Sequence, residues 1–165
     1  MSYYFYLDAS ALAKRYASEL GTPVINHLFS RVRLDRIFVL YLGVAEVTSI
    51  LVRKGNAKVF TASTTAQAFL DLEAEIINQP LIQKLDAEAS LVIAALELIR
   101  KHSINATDST LLRSALDLAA DLRVNGYDLA LVASDHRLLR AAQVEGLLTF
   151  NPEQQSTTDL DLLLV

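Results

Sequence analysis

The run Tyr3-Tyr4-Phe5-Tyr6-Leu7 is followed at once by Asp8 and then by Ala9-Ser10-Ala11-Leu12-Ala13-Lys14-Arg15-Tyr16. Five consecutive aromatic or apolar residues read as a short strand buried on both faces, the kind found inside a parallel sheet. The alanines, leucine and basic pair that follow are spaced as in a helix. The strand-to-helix junction therefore carries a single carboxylate. In open α/β sheets the carboxyl ends of the strands are where ligands bind. Asp8 or Ser10 could equally serve as a helix cap, since both satisfy free backbone N–H groups.

The same alternation of strand and helix runs through the rest of the chain. Thr22 as N-cap and Pro23 at the first helical position start a helix through Val24, Ile25, Leu28 and Phe29. Ile37-Phe38-Val39-Leu40 is a second buried strand, and Gly43 through Lys54 a helix ended by Gly55-Asn56. Residues 57–78 turn helical around Phe69-Leu70-Asp71-Leu72 and stop at Gln79-Pro80, before a short strand over Leu81–Leu85. Asp86 is the expected cap of a long helix with Leu91, Val92, Ala94, Ala95, Leu98 and Ile99 on its core side. Asp108 opens the next helix, which runs to about Arg123 and breaks at Asn125-Gly126. Leu129–Ala133 is a strand closed by Ser134-Asp135, His136–Val144 a helix, and Leu147–Phe150 the last strand. Strands separated by helices imply a parallel sheet covered on both faces, that is, an α/β fold. The chain of 165 residues, without internal repeats or a low-complexity linker, divides into one domain over 1–152 and a tail over 153–165. The tail ends in the apolar Leu160–Val165, which is expected to dock on the body or on a partner.

Composition narrows the chemistry. There is no cysteine, so a metal would be held by oxygen or imidazole. Charges interrupt every apolar run before it reaches the length of a membrane span, and no signal peptide precedes Asp8, so a cytoplasmic protein is expected. The net charge of −4 argues against nonspecific nucleic-acid binding, unless several acids are neutralised by cations in one site.

Four acids stand in suggestive places: Asp8 after the first strand, Glu46 inside a helix, Asp108 at a helix start and Asp135 after the second strong strand. The three aspartates each have a capping explanation. Glu46, among Val44, Ala45, Val47, Ile50 and Leu51, costs desolvation unless a cation, a donor or the helix dipole meets it. With the first strand central and the Asp135 strand beside it, right-handed crossovers bring all four acids to one sheet edge. Like charges ~4 Å apart repel by roughly 4 kcal/mol at an effective dielectric of 20. Such a cluster calls for a counterion, and hard oxygen ligands suit Mg²⁺ or Mn²⁺. Metals so held hydrolyse phosphodiesters by activating water and steadying the departing oxygen.

The segments Leu7–Lys14, Ala45-Glu46-Val47, Ala106-Thr107-Asp108 and Val132–Leu138 together resemble a PIN domain, and among PIN domains the VapC-type toxins of type II toxin–antitoxin pairs. The resemblance spans about Tyr3 to Pro152. It implies a three-layer α/β/α sandwich with a central parallel sheet, Mg²⁺- or Mn²⁺-dependent cleavage of an RNA substrate, a homodimer, and an antitoxin occupying a groove. Carried over residue by residue, Asp8, Glu46, Asp108 and Asp135 match the acidic quartet, and Ser10 and Ser134 match supporting hydroxyl positions. The basic residues offered for contact with RNA are Lys14, Arg15, Arg53, Lys54, Lys58, Arg113, Arg137 and Arg140, with Lys14 and Arg15, within two turns of Asp8, the best placed. Arg113, the long Asp108-to-Asp135 interval, residues 57–78 and the tail depart from the family pattern. Haloacid-dehalogenase phosphatases fit poorly, since Ser10 stands where they place a second aspartate. Response-regulator receivers need an early acidic pair and a late lysine, and neither is found. The remaining alternative is a catalytically inactive PIN-like domain that binds RNA or protein.

Overall fold

In the computed structural model, residues 2–164 are described. Met1 of the domain and Val165 of the tail lie outside the described residues. Five strands form one all-parallel sheet in the order β3-β2-β1-β4-β5. They are β1 (Ser2–Leu7), β2 (Ile37–Leu40), β3 (Gln83–Leu85), β4 (Tyr127–Val132) and β5 (Leu148–Phe150). The helices are α1 (Ala9–Leu12), α2 (Thr22–Arg31), α3 (Tyr41–Asn56), α4 (Ala62–Leu72), α5 (Ala89–His102), α6 (Ala106–Val124), α7 (His136–Val144) and α8 (Thr157–Asp161). A single π-helical turn, Glu73–Ile77, prolongs α4.

The pleat sorts the core into two layers, because successive side chains of a strand point to opposite faces. Phe5, Leu7, Val39, Ala130 and Val132 pack under α1, α2 and α3. Tyr6, Leu129 and Leu131 pack with Leu111, Leu112, Ala115 and Leu138 of α6 and α7. The result is a three-layer α/β/α sandwich. The central position of β1 follows from its register: Leu7 lies between Val39 of β2 and Val132 of β4. Asp8 therefore leaves the middle of the sheet at its carboxyl edge, and its N–H extends the ladder to the Val132 carbonyl at 2.9 Å.

Several element starts differ from the sequence expectation, each for a local reason. The N-cap of α2 is Gly21, not Thr22. Gly21 has φ +90°, and a Cβ there would lie 2.8 Å from the Pro152 carbonyl oxygen, so only glycine lets the chain pass the end of β5 so closely. Thr22 is instead the first helical residue, its hydroxyl accepting from the Glu19 N–H and donating to the Lys14 carbonyl. Helix α3 begins at Tyr41 and includes Gly55-Asn56. Glu88, not Asp86, precedes α5. Asn105, not Asp108, caps α6, accepting the Asp108 N–H at 2.8 Å.

Helix α5 corrects a second expectation. Ala95 and Leu98 are buried, but Val92 is exposed, as are Ile93 and Leu96. Helix α6 lies between α5 and the sheet, so α5 has only one covered side, and its all-round apolar character faces outward. The tail, by contrast, docks on the body. Helix α8 buries Leu160 completely, and Asp161 pairs with His27 of α2 at 2.9 Å. Among the described residues no helix is long and apolar enough to cross a membrane.

Candidate active site

The four acids come from four different elements. Asp8 ends β1, Glu46 lies in the second turn of α3, Asp108 in the first turn of α6, and Asp135 caps α7. Parallel strands with right-handed crossovers bring these elements to the carboxyl edge of the sheet. There Asp8, Ser10, Glu46, Ser49, Arg53, Asp108 and Asp135 line one cavity of about 300 Å³.

Each aspartate has one oxygen anchored by its own neighbourhood. Oδ2 of Asp8 accepts from the Ser10 N–H at 2.9 Å and from the Ser10 hydroxyl. The Ser10 Oγ in turn accepts from the Ser134 N–H at 2.8 Å, so it bridges the ends of β1 and β4. Oδ2 of Asp108 accepts from Asn105 Nδ2 at 2.8 Å. Oδ1 of Asp135 accepts from the N–H groups of Arg137 and Leu138 at 2.7 and 3.1 Å. Capping and pocket-lining are thus compatible: Asp8 and Asp135 each cap a helix and line the cavity at the same time.

The electrostatics is that of uncompensated negative charge. Asp8 is 4% exposed, and burial pushes its carboxyl pKa up against the pull of the Ser10 donors, with the Asp135 charge adding to the rise. Burial likewise raises Glu46, helped by Asp8 and opposed by the Thr107 hydroxyl and Arg53. Asp108 moves to about 7, first through burial and then through the charges of Asp8, Asp135 and Glu46, with Arg137 opposing. Carboxyls raised by burial and by one another within one cleft mark a candidate functional site.

The donor set is entirely oxygen, which suits a hard divalent ion. As the side chains stand among the described residues, no three His, Asp or Glu close around a common point at metal-binding separations. Mg²⁺ does not need such a cage, because it keeps several waters and uses one or two carboxylates directly. The cavity of about 300 Å³ that these acids line leaves room for a hydrated ion. The Ser134 Oγ, buried and without a hydrogen-bond partner, adds an unused oxygen next to Asp135.

Lys14 and Arg15 do not line this cavity. Lys14 is 3% exposed, and its Nζ donates to Glu153 at 2.6 Å and to Glu19 at 3.3 Å. Glu19 also holds Lys54 of α3 at 2.8 Å. Arg15 forks onto both carboxylate oxygens of Glu75, each at 2.9 Å, and reaches Asn26. Arg113 is paired with Asp117 one turn along α6. The cation that does line the pocket is Arg53, which the sequence offered behind Lys14 and Arg15 and which stands on α3 two turns beyond Glu46.

No protein-family model and no curated protein matches the sequence. Solved structures do match it over nearly their whole length. PAE2754 from Pyrobaculum aerophilum is 18% identical, with a TM-score of 0.60 over 99% of this chain and 98% of that one. FitAcB from Neisseria gonorrhoeae is 16% identical, with a TM-score of 0.61 over 92% and 99%. VapC20 from Mycobacterium tuberculosis, a toxin that cleaves the sarcin–ricin loop, is 15% identical, with a TM-score of 0.61 over 87% and 96%. Likeness at such identities is a likeness of fold, and with the five-stranded parallel sheet and its helical layers it shows that this chain has a PIN-like α/β/α fold shared with these structures.

Proposed function

We propose that the chain is a metal-dependent endoribonuclease, the toxin of a toxin–antitoxin pair, with Asp8, Glu46, Asp108 and Asp135 as its metal-holding and catalytic acids. The observation that carries this reading is the convergence of four carboxylates from separate elements on one small pocket, with Asp108 raised to about 7. Mg²⁺ or Mn²⁺, held by these acids, would activate water for in-line attack on phosphorus and steady the leaving oxygen. The protein's own part is to hold the acids ready. Ser10 locks the Asp8 carboxylate and ties it to the Ser134 backbone, Asn105 orients Asp108, and the α7 backbone orients Asp135. Asp108 must give up its proton before a cation is bound, so loading of the site is coupled to pH near neutrality.

Two surfaces suit protein partners. A groove of about 800 Å³ between α3 and α4, walled by Val52, Val59, Phe60 and Phe69, would seat an antitoxin segment. The outward apolar strip of α5 around Ile93 would pair with a second copy in a homodimer. An enzyme of this kind would work in the cytoplasm, where its RNA is.

The test is cleavage of structured and single-stranded RNAs with and without Mg²⁺ or Mn²⁺, beside the Asp8→Asn and Asp108→Asn variants. Metal-dependent cleavage by the wild type alone is the expected result. Equal cleavage by all three proteins would reject the assignment.

A further inference from the structure

The basic residues of this acidic chain divide sharply by what they already hold. Lys14, Arg15, Arg33, Lys54, Lys101, Arg113 and Arg123 each meet a carboxylate within 3.5 Å. Arg31 lies 3.8 Å from Asp161, Lys84 donates to three backbone carbonyls, and Arg36 lies over the Tyr4 ring. Among the described residues, Arg53, Arg137 and Arg140 have no such partner for their guanidinium groups. These three are not scattered. Arg53 lines the acid pocket on the α3 side, beside Glu46. Arg137 stands on the α7 side, close enough for its charge to act on Asp108. Arg140 follows one turn along α7, and Arg137 and Arg140 together line a cleft of about 330 Å³ against His102 and Ser103, at the α5–α6 junction next to Asn105. Lys58 and Arg100, also unpaired, lie elsewhere, on the α3–α4 groove and on α5.

We infer that Arg53, Arg137 and Arg140 form a phosphate track on which one RNA strand crosses the acid pocket, held by Arg53 on one side of the scissile bond and by Arg137 and Arg140 on the other. The inference rests on the reading of that pocket as the place where a phosphodiester is cut. Three points support it. An unpaired guanidinium beside a carboxylate cluster is held back from neutralising it, since neither Arg53 nor Arg137 closes an ion pair with Glu46, Asp108 or Asp135. It keeps its planar donor fork for a phosphate. Arginines three positions apart on a helix have their Cβ atoms ~5–6 Å apart and lie on one face, so Arg137 and Arg140 can take neighbouring phosphates of one strand. The far end of the cleft is free of bare negative charge, because Glu145 is held by Lys101 at 2.8 Å and by His102 at 2.5 Å. A protein whose net charge is −4 cannot attract a polyanion globally, so local unpaired cations have to supply the grip.

The track is tested by binding, apart from cleavage. Fluorescein-labelled single-stranded RNA is titrated by anisotropy, in Mg²⁺ and over a range of salt, into a Glu46→Gln protein, with gels to show that the RNA stays intact. Arg53→Gln, Arg137→Gln and Arg140→Gln are added to that background one at a time. Arg33→Gln is the control, because Arg33 precedes β2 at the opposite edge of the sheet and pairs with Asp35. Each track variant is expected to bind several-fold more weakly and to lower the slope of log K against log salt by about 0.7, the value for one phosphate contact to a single strand. The control is expected to change neither. Equal weakening of single-stranded DNA supports a track that reads phosphates only. Track variants indistinguishable from Arg33→Gln, or a wild type that prefers an acidic peptide to RNA, would overturn the track. A track that behaves as expected in a wild-type protein that cuts no RNA leaves the track standing and removes the nuclease reading.

Discussion

Asp8 and Lys14 leave the same strand on the same short helical stretch, and both are nearly sealed from water, yet their surroundings are opposite. Lys14 sits in a closed circuit: Glu153 and Glu19 take its charge, and Glu19 is shared with Lys54, so every charge has a partner and α3, the tail and the first helical stretch are tied together. Asp8 sits among Glu46, Asp108 and Asp135, and the nearby Arg53 and Arg137 close no ion pair with any of them. Burying like charges together costs free energy that burying a matched set does not. A fold that carries both clusters holds itself together with one and leaves the other in deficit, as the proposed cation site requires. The two acids also respond in opposite directions. Burial pushes Glu19 up, but Lys54 and Lys14 outweigh it and leave its pKa lowered. Asp108 is raised to about 7.

The comparison can be broken most directly at the pocket. Asp8→Asn or Asp108→Asn is expected to lower RNA cleavage by on the order of 1,000-fold or more, about 4 kcal/mol of transition-state stabilisation, while the folded protein stays at least as stable without metal. Initial rates and thermal melts on the same samples read both. Loss of stability along with activity would make the acids structural, like Lys14.

At the matched cluster the expectation is reversed. Lys14→Met leaves Glu153 and Glu19 short of a cation and is expected to cost about 2–3 kcal/mol, less than the ~3–5 kcal/mol of a fully buried pair because both carboxylates are one-third exposed. In a chain of this size that is roughly 4–12 °C in Tm. Ser10→Ala frees the Asp8 carboxylate from its bridge to β4 and is expected to lower activity about 10–100-fold, as removal of a metal ligand's supporting donor does.

pH sharpens the contrast. Asp108 binds its proton more tightly folded than unfolded, so in metal-free protein its contribution is fully present at acid pH and is lost as pH rises through about 7. Glu19 contributes above the ordinary carboxylate range and loses that contribution on acidification. Metal-free wild type should therefore lose Tm as pH rises from the ordinary carboxylate range to about 7 and level off above it, and Asp108→Asn should lose less, keeping only the share of Asp8 and Glu46. Added Mn²⁺ should restore the loss, by about 2.7 kcal/mol at 100 times its dissociation constant. The smallest effect belongs to Arg15. Tied to Glu75, it is expected to leave RNA affinity within roughly twofold of wild type when changed to Ala, as an anisotropy titration would show.

Much of the fold could be read locally. The apolar run before Asp8, the strand before Ser134-Asp135 and the helix from His136 to Val144 stand where periodicity put them, because a buried parallel strand and an amphipathic helix announce themselves in consecutive residues. Caps were read less well. Gly21 caps α2 because of Pro152, far along the chain, and Asn105 outcompetes Asp108 as the cap of α6, leaving Asp108 one turn deeper. Helix α5 looked like a core helix because its apolar residues surround it, and only its position outside α6 leaves Ile93 in solvent. The candidate acids were legible because three of them follow strands or open helices at the edge where a parallel sheet gathers its ligands.

The order of strands and helices, the absence of thiol chemistry and the identity of the four acids belong to the sequence alone, since they depend on residue type and short-range spacing. Which charges are matched and which are left in deficit belongs to the tertiary structure. Lys14 meets Glu153 and Arg15 meets Glu75 only when β5 and the α4 extension close on the first helical stretch, and Arg53 reaches the acid pocket and Arg137 the range of Asp108 only when α3 and α7 pack on the sheet. The physical reason is range: backbone propensity and hydrophobic period act over a few residues, whereas whether a buried charge finds its counterion depends on side chains that distant parts of the chain bring to within a few ångströms.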